Sequence, residues 1–224
     1  MKKLYGENIC IIAPHPDDEV LGLGGSISKF SKNDVKVNLL VISGHLPPLY
    51  PQSSFETTKK ECLKSAEILG LNDVQFAEIP ATYIHNEPIS KLNGIIQSFI
   101  LQHSPHTVFI PFPDRHIDHK VIFESCMVCT RPTGKFWPKL VLSYETLSET
   151  DWNAPYIEPF FIPEWFINID DCIDTKLKAL NCYESQIKNN HSRSEDAVNA
   201  LARYRGSQNG FKYAEGFKLI RCLS

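Results

Sequence analysis

The sequence predicts an α/β fold in which a mostly parallel sheet lies between two layers of helices. Short apolar segments alternate along the chain with longer segments of helical periodicity. The apolar segments lack the alternation of a strand with one solvated face, so they are expected to be buried on both faces. Crossover helices that cover both sides of a parallel sheet bury strands in this way. A length of 224 residues predicts one domain over residues 1–224.

Seven apolar segments are candidate strands, and helix-like segments lie between most of them. In chain order, the strand segments are Ile9–Ala13, Val35–Ser43, Val74–Ile79, Thr107–Pro111, Leu140–Tyr144, Phe166–Ile169 and Phe217–Ile220. The predicted helices are Asp18–Ser31, Glu56–Leu69, Ile89–Gln102, Asp118–Cys129, Asp171–Lys188 and Glu195–Arg205. Gly70 directly follows the second helix, where glycine commonly ends helices.

Composition excludes several classes of protein. Lys and Arg number 23 against 26 Asp and Glu, giving a formal net charge of −3. A chain so balanced is not expected to bind nucleic acid, which needs a basic face. The seven cysteines are odd in number and scattered, unlike a disulfide framework. The sequence shows neither a secretory leader nor an apolar run of membrane-spanning length, so we expect a cytoplasmic protein with no membrane span.

A histidine and three carboxylates follow the first predicted strand, in the segment His15-Pro16-Asp17-Asp18-Glu19. His15 and Asp18 are three residues apart in a turn that enters a helix, so both can face the same side. An imidazole and a carboxylate together suit Zn²⁺ or Fe²⁺. Asp17 lies between them, where a general base could serve a metal-activated water. Helix capping would explain any one of the acids, but not a histidine flanked by prolines.

A second cluster, Asp114-Arg115-His116-Ile117-Asp118-His119, follows the fourth predicted strand. Since ligand sites in such sheets lie beyond the carboxyl ends of strands, the two clusters are expected to meet. His119 could complete a ligand set with His15 and Asp18, because catalytic sites combine three protein ligands with an open position. His116 would then be free to donate to a developing oxyanion or a leaving amine, and Asp118 to orient a histidine.

Two other motifs are weaker. Gly22-Leu23-Gly24-Gly25 suggests a phosphate loop, but Ile27 stands where a dinucleotide-binding motif has its third glycine, which disfavours a nucleotide-binding module. Close packing of helix and sheet explains these glycines better. The pair Cys126 and Cys129 forms a CxxC within an apolar helix and is predicted to pack in the core.

The two His/Asp motifs resemble those of the PIG-L/LmbE family of zinc-dependent de-N-acetylases. Residues 13–19 are similar to the family's A-H-P-D-D-E segment, and residues 116–119 to its H-x-D-H segment. Residues 213–217 resemble its late Y-A-E-G-F motif, and Ser43-Gly44 resembles its small-residue turn. Thr58 stands where many members carry an arginine.

This resemblance implies a Rossmann-like fold and removal of an N-acetyl group from an N-acetylglucosamine-type sugar or conjugate. It implies zinc ligation by His15, Asp18 and His119, with Asp17 as general base. His116 would stabilise the oxyanion or act as the acid, and Asp118 would support a histidine. The substrate-contact candidates are Ser43, Tyr213 and Glu215 from the resemblance, and Glu145 from its place after a strand.

Three alternatives remain open at this point. The protein could be an amidase for another N-acyl group or a thiol conjugate, or a non-catalytic metal- or glycan-binding protein. The metal could be Fe²⁺ in place of Zn²⁺. The expected partner is a small amino-sugar substrate, and the sequence leaves open whether the chain forms a homo-oligomer.

Overall fold

One seven-stranded sheet organises the computed structural model, which describes residues 1–134, 136–188 and 190–223. The strands are β1 (Asn8–Ala13), β2 (Lys36–Gly44), β3 (Asp73–Pro80), β4 (Thr107–Pro111), β5 (Leu140–Tyr144), β6 (Trp165–Asn168) and β7 (Ala214–Cys222). Their order is β3-β2-β1-β4-β5-β7-β6. Strands β1 to β5 pair in parallel, whereas β7 runs antiparallel to both β5 and β6.

Helices cover both faces of the sheet. They are α1 (Lys2–Tyr5), α2 (Asp18–Ser31), α3 (Gln52–Leu69), α4 (Ile89–His103), α5 (Ile117–Cys129), α6 (Ile173–Leu180), α7 (Glu184–Ile187) and α8 (Glu195–Ser207). Alternate residues of β1 enter two different apolar clusters: Ile9 and Ile11 meet residues of α2, while Cys10 and Ile12 meet residues of α4 and α5. This three-layer arrangement confirms the predicted fold class.

The strand order indicates where a ligand site is expected at the edge of the sheet. From β1 the chain moves to β2 on one side and later to β4 on the other. The carboxyl ends of β1 and β4 therefore flank a switch point, where the connections diverge and leave a crevice. Both predicted His/Asp clusters follow these two strands.

The predicted helix over 171–188 is wrong as a single helix. The structure instead has α6 ending at Leu180 and α7 beginning at Glu184. Tyr183, in the turn between them, is completely buried, and its hydroxyl donates to Glu19 of α2. Burial of this one side chain against α2 breaks the helix, a tertiary effect that helical periodicity does not reveal.

Helix α2 is kinked at Leu23, whose φ of −147° is not helical. The backbone N–H groups of Gly25 and Ser26, just after the kink, donate to the Glu215 carboxylate at 2.9 and 2.7 Å. Lys176 completes the arrangement by donating 2.6 Å to Glu215 and 2.9 Å to the carbonyl of Leu21. The buried Lys176–Glu215 pair thus satisfies the groups that the kink releases.

Close packing accounts for the glycines of α2. A Cβ at Gly22 would lie 2.3 Å from Cδ2 of Tyr144, and one at Gly25 would lie 2.7 Å from Cδ1 of Ile169. Cys126 and Cys129 are both buried in the cluster under α4 and α5, as predicted. Among the described helices, none is both long and apolar enough to cross a membrane.

Candidate metal centre and active site

The two His/Asp clusters meet at the carboxyl ends of β1 and β4. His15, Asp18 and His119 form a group whose potential ligand atoms all lie within 4.8 Å of one another, and so do His15, His116 and Asp118. In the first group, Asp18 Oδ2 lies 3.2 Å from His15 Nδ1 and 3.4 Å from His119 Nε2. One carboxylate oxygen therefore faces one nitrogen of each imidazole.

The turn between β1 and α2 gives the side chains of Asp17 and Asp18 different partners. Asp18 Oδ2 accepts the backbone N–H of His15 at 2.8 Å, which closes the turn. Asp17 takes a φ of 118°, a region that non-glycine residues rarely occupy. Its N–H donates 3.1 Å to the Glu19 carboxylate, whose other oxygen accepts the Tyr183 hydroxyl. Strain of this kind persists only where the surroundings enforce it, and it is typical of functional sites.

A carboxylate holds the second nitrogen of each imidazole. Asp118 Oδ2 lies 3.0 Å from His15 Nε2 and accepts the backbone N–H of Thr82 at 2.7 Å. Asp114 Oδ2 lies 3.0 Å from His119 Nδ1 and accepts the Thr150 hydroxyl at 2.8 Å. Carboxylates behind histidines in this way fix the ring orientation and tautomer at metal sites.

The electrostatics of the cluster favour close ion pairing between the imidazoles and the carboxylates. Burial opposes a charge on His15, but hydrogen bonds to Asp118 and Asp18 raise its pKa to about 9. Burial opposes a charge on His119 as well, and Asp18 and Asp114 raise its pKa to about 10. Burial also opposes ionisation of Asp18, yet the two histidines hold its pKa well below the usual range.

The three atoms that face one another fit a metal ion. His119 Nε2 is buried and has no hydrogen-bond partner among residues 1–134, 136–188 and 190–223. Two imidazole nitrogens and a carboxylate oxygen suit Zn²⁺, and the same donors suit Fe²⁺. His15, Asp18 and His119 could therefore hold a metal ion.

Asp17 and His116 lie on the cavity beside these ligands. The cavity has a volume of about 110 Å³ and is bounded by His15, Asp17, His116, Thr58 and Arg193, among other residues. Burial raises the pKa of Asp17 to about 6, although Arg193 opposes the shift. The Asp17 carboxylate is thus buried, paired with a cation and open to the cavity.

His116 begins α5 and accepts the N–H of Asp118 at its own Nδ1, at 3.1 Å. An acceptor nitrogen carries no proton, so the neutral imidazole carries its proton on Nε2. Burial, and then the charges of His15 and His119, lower the pKa of His116 to about 4. His116 is therefore a neutral hydrogen-bond donor.

The structure does not bring the four substrate-contact candidates to this cavity. Ser43 ends β2, where its N–H donates to the carbonyl of Pro14 at 2.8 Å and its side chain is buried. Glu145 pairs with Arg205 at 2.7 Å and borders a different cavity. Tyr213 packs against the apolar cluster under α2, and Glu215 supports the kink of α2. The described contacts of Tyr213 and Glu215 are structural.

Sequence reasoning gave no role to four residues of the site. Asp114 could have been found, because it lies in the same segment as His116 and His119. Glu19 could have been found in the first motif, although its contact with the Asp17 N–H was not foreseeable. Glu149 and Arg193 gave no signal, because Arg193 meets Asp17 across 176 positions of the chain.

With this geometry in view, a family model described as "PIG-L: GlcNAc-PI de-N-acetylase" matches residues 10–130. The match spans more than half of the chain, and both His/Asp motifs lie within it. This chain belongs to the PIG-L family.

One relative of this chain is the diacetylchitobiose deacetylase of Thermococcus kodakarensis. It is 26% identical over 228 residues, covering 96% of this chain and 83% of the relative. Among solved structures, the N,N'-diacetylchitobiose deacetylase of Pyrococcus horikoshii, complexed with an inhibitor, matches with a TM-score of 0.77 and 22% identity. That match covers 96% of this chain and 84% of the other.

The same fold also carries a different reaction. The 4-carboxy-2-hydroxymuconate hydratase GalB of Pseudomonas putida matches with a TM-score of 0.76 and 18% identity, covering 96% of each chain. The fold alone therefore does not determine the chemistry, and function must be argued from the residues of the site.

Proposed function

We propose that this protein is a zinc-dependent N-deacetylase that removes the acetyl group from an N-acetylglucosamine-type sugar or sugar conjugate. The observation that carries the proposal is the convergence of His15, Asp18 and His119 on one point, with Asp17 and His116 beside them on the same cavity. The names of the family and of the Thermococcus relative support the substrate class.

His15, Asp18 and His119 would hold the metal, with Asp118 and Asp114 fixing the two imidazoles. When bound there, Zn²⁺ would lower the pKa of a water molecule and polarise the amide carbonyl. We prefer Zn²⁺ to Fe²⁺ because hydrolysis requires no redox change.

Asp17 would accept the proton of the attacking water. Its carboxylate faces the cavity, and its pairing with Arg193 favours the ionised form that a base requires. His116 would donate a hydrogen bond from Nε2 to the oxygen that becomes negative as the carbonyl is attacked. Since the pKa of His116 is about 4, Asp17 is the better donor of a proton to the leaving amine.

Acetate release tests the proposal. The protein would be tested in three forms: stripped of metal, with Zn²⁺ restored and with Fe²⁺ restored. Each form would be incubated with diacetylchitobiose, N-acetylglucosamine, N-acetylglucosamine 1-phosphate and a nucleotide-linked N-acetylglucosamine. We expect release that chelation abolishes and Zn²⁺ restores. If none of these sugars releases acetate, the proposed substrate class is wrong, and an amidase for another N-acyl or thiol conjugate is favoured.

Metal content tests the ligands separately. His15→Ala and His119→Ala are each expected to lower bound zinc, whereas an exposed histidine such as His191 should tolerate the same change. Unchanged zinc content in both ligand variants would rule out this site. Wild-type zinc content without any turnover would favour a non-catalytic binding protein.

A further inference from the structure

Arg193 borders the cavity and contacts Asp17, although it lies far along the chain from both His/Asp motifs. Its Nη1 donates 2.7 Å to Asp17 Oδ2, and its Nε donates 2.6 Å to the Ser148 hydroxyl. Its Nη2 lies 3.3 Å from Glu149 Oε1. The Arg193 side chain is 16% exposed and that of Asp17 is 2% exposed. Each of the three guanidinium nitrogens therefore has a partner in the protein, and two of these partners are carboxylates.

The backbone around Arg193 is held on both sides. Asn190 accepts the N–H of Ser192 at 3.2 Å and begins a short 3₁₀ helix, His191–Arg193. Ser194 then accepts the N–H of Ala197 at 3.2 Å and begins α8. Arg193 thus occupies a junction between two capped segments, where its backbone has little freedom.

The second carboxylate is itself held in place. Arg115 donates 2.8 Å to Glu149 Oε2, so the two oxygens of Glu149 bind two different arginines. Arg115 does not contact Asp17 and is 45% exposed. Glu149 therefore ties Arg193 to the segment that follows β5.

We propose that Arg193 is the positioning residue for Asp17. By engaging Oδ2, it holds the carboxylate in one orientation and leaves Oδ1 to accept the proton of the attacking water. Three of its five N–H groups already donate to Asp17, Ser148 and Glu149, and the role proposed for Arg193 is to orient Asp17, not to bind the substrate. This inference rests on the proposed function, in which Asp17 is the base.

A double-mutant cycle between Arg193 and Asp17 tests the inference. In the zinc-loaded enzyme, Arg193→Ala should lower kcat by about 10- to 100-fold, with KM and zinc content close to wild type. In the Asp17→Asn background, the same change should cause no further loss, because Arg193 acts through Asp17. Arg193→Lys should have a higher kcat than Arg193→Ala, since an ammonium can pair with one carboxylate. It should stay below wild type, because an ammonium cannot bind all three partners of the guanidinium. A full additional loss in the Asp17→Asn background would overturn the inference.

Arg203→Ala is the matched control, because Arg203 is an exposed arginine of α8 that does not border the cavity. We expect a kcat near that of wild type. A loss as large as that of Arg193→Ala would mean that the effect does not depend on the contact with Asp17, and would overturn the inference.

Thermal unfolding of the metal-free protein supplies a measurement that does not depend on activity. The decreases in unfolding midpoint caused by Arg193→Ala and Asp17→Asn should be non-additive, as expected for buried partners in direct contact. Additive decreases would contradict the contact. If the wild type releases no acetate from any sugar, the proposed function fails, and the unfolding cycle still tests the contact on which the inference depends.

Discussion

At the scale of single residues, the site depends on which atom of each side chain has a partner. His15 and His119 each give one nitrogen to a carboxylate of the second motif segment and turn the other toward Asp18. His116 has its Nδ1 engaged by the backbone, which leaves the proton on Nε2. Their hydrogen bonds thus give the three histidines two different roles: His15 and His119 face Asp18, and His116 is a hydrogen-bond donor.

Asp17→Asn should separate catalysis from metal binding. The amide keeps the size of the side chain but cannot accept the proton of water, so turnover should fall by about 10²–10⁴-fold, the usual contribution of a general base. Zinc content should be unchanged, because Asp17 is not among the proposed metal ligands, His15, Asp18 and His119. Steady-state kinetics with metal analysis of the same sample would measure both. Wild-type turnover in this variant would exclude Asp17 as the base.

Zinc binding should release protons near neutral pH. In the metal-free protein His15 and His119 have pKa values of about 9 and about 10, so both imidazoles are protonated at pH 7.5. A metal ligand must be neutral at the coordinating nitrogen, so zinc has to displace these protons, and the apparent affinity should rise with pH. Calorimetry in buffers of different ionisation enthalpy measures the release. Binding without any net proton release would contradict this prediction.

At the scale of secondary structure, the kink of α2 connects the site to the rest of the fold. The first turn of α2 carries Asp18 and Glu19, while the part after Leu23 packs against the sheet. The buried Lys176–Glu215 pair supports the interruption between the two parts. Glu215, in the late motif, therefore supports the direction of α2 and is not among the residues that border the cavity.

Glu215→Gln should lower stability without altering substrate binding. Removing one partner of a buried ion pair leaves Lys176 without a counter-charge, which costs about 3–5 kcal/mol of unfolding free energy. Urea denaturation would measure this loss, and KM of the remaining folded enzyme should match wild type. The exposed residue Glu67 provides the control, since Glu67→Gln should change stability by no more than about 0.5 kcal/mol. A large rise in KM with unchanged stability would restore Glu215 as a substrate-contact residue.

At the scale of the whole molecule, the strand order creates the site. Because β1 lies between β2 and β4, the segments after β1 and β4 meet at a crevice, although about 100 residues separate them in the sequence. Glu149, from the segment after β5, and Arg193, from the 3₁₀ helix His191–Arg193, also border this cavity. The segments after β2 and β3 contribute as well, so the cavity is assembled from at least six separate parts of the chain.

The charges around the cavity predict a preference for uncharged sugars. Among the described residues that border it, Arg193 is the one arginine or lysine, and Asp17 and Glu149 already pair with it. A phosphate or carboxylate on the substrate would lie near these two acids, and like charges at close range cost several kcal/mol. We expect kcat/KM for diacetylchitobiose to exceed that for N-acetylglucosamine 1-phosphate by about tenfold or more. Equal values, measured by acetate release, would contradict this expectation.

The sequence by itself determined the fold class, the position of nearly every strand and helix, and the two motifs that supply the candidate metal ligands. It could do so because alternating apolar segments and residue spacing are local properties, recorded in adjacent residues. The same reasoning failed for the helix over 171–188, since the break follows from burial of Tyr183 against Glu19.

Only the tertiary structure decided which carboxylates support which histidines, that Glu215 belongs to the kink of α2, and that Arg193 meets Asp17. These contacts join residues up to 190 positions apart. No local pattern encodes such pairs, because they form only when the sheet brings its strand ends together and burial makes each polar group find a partner.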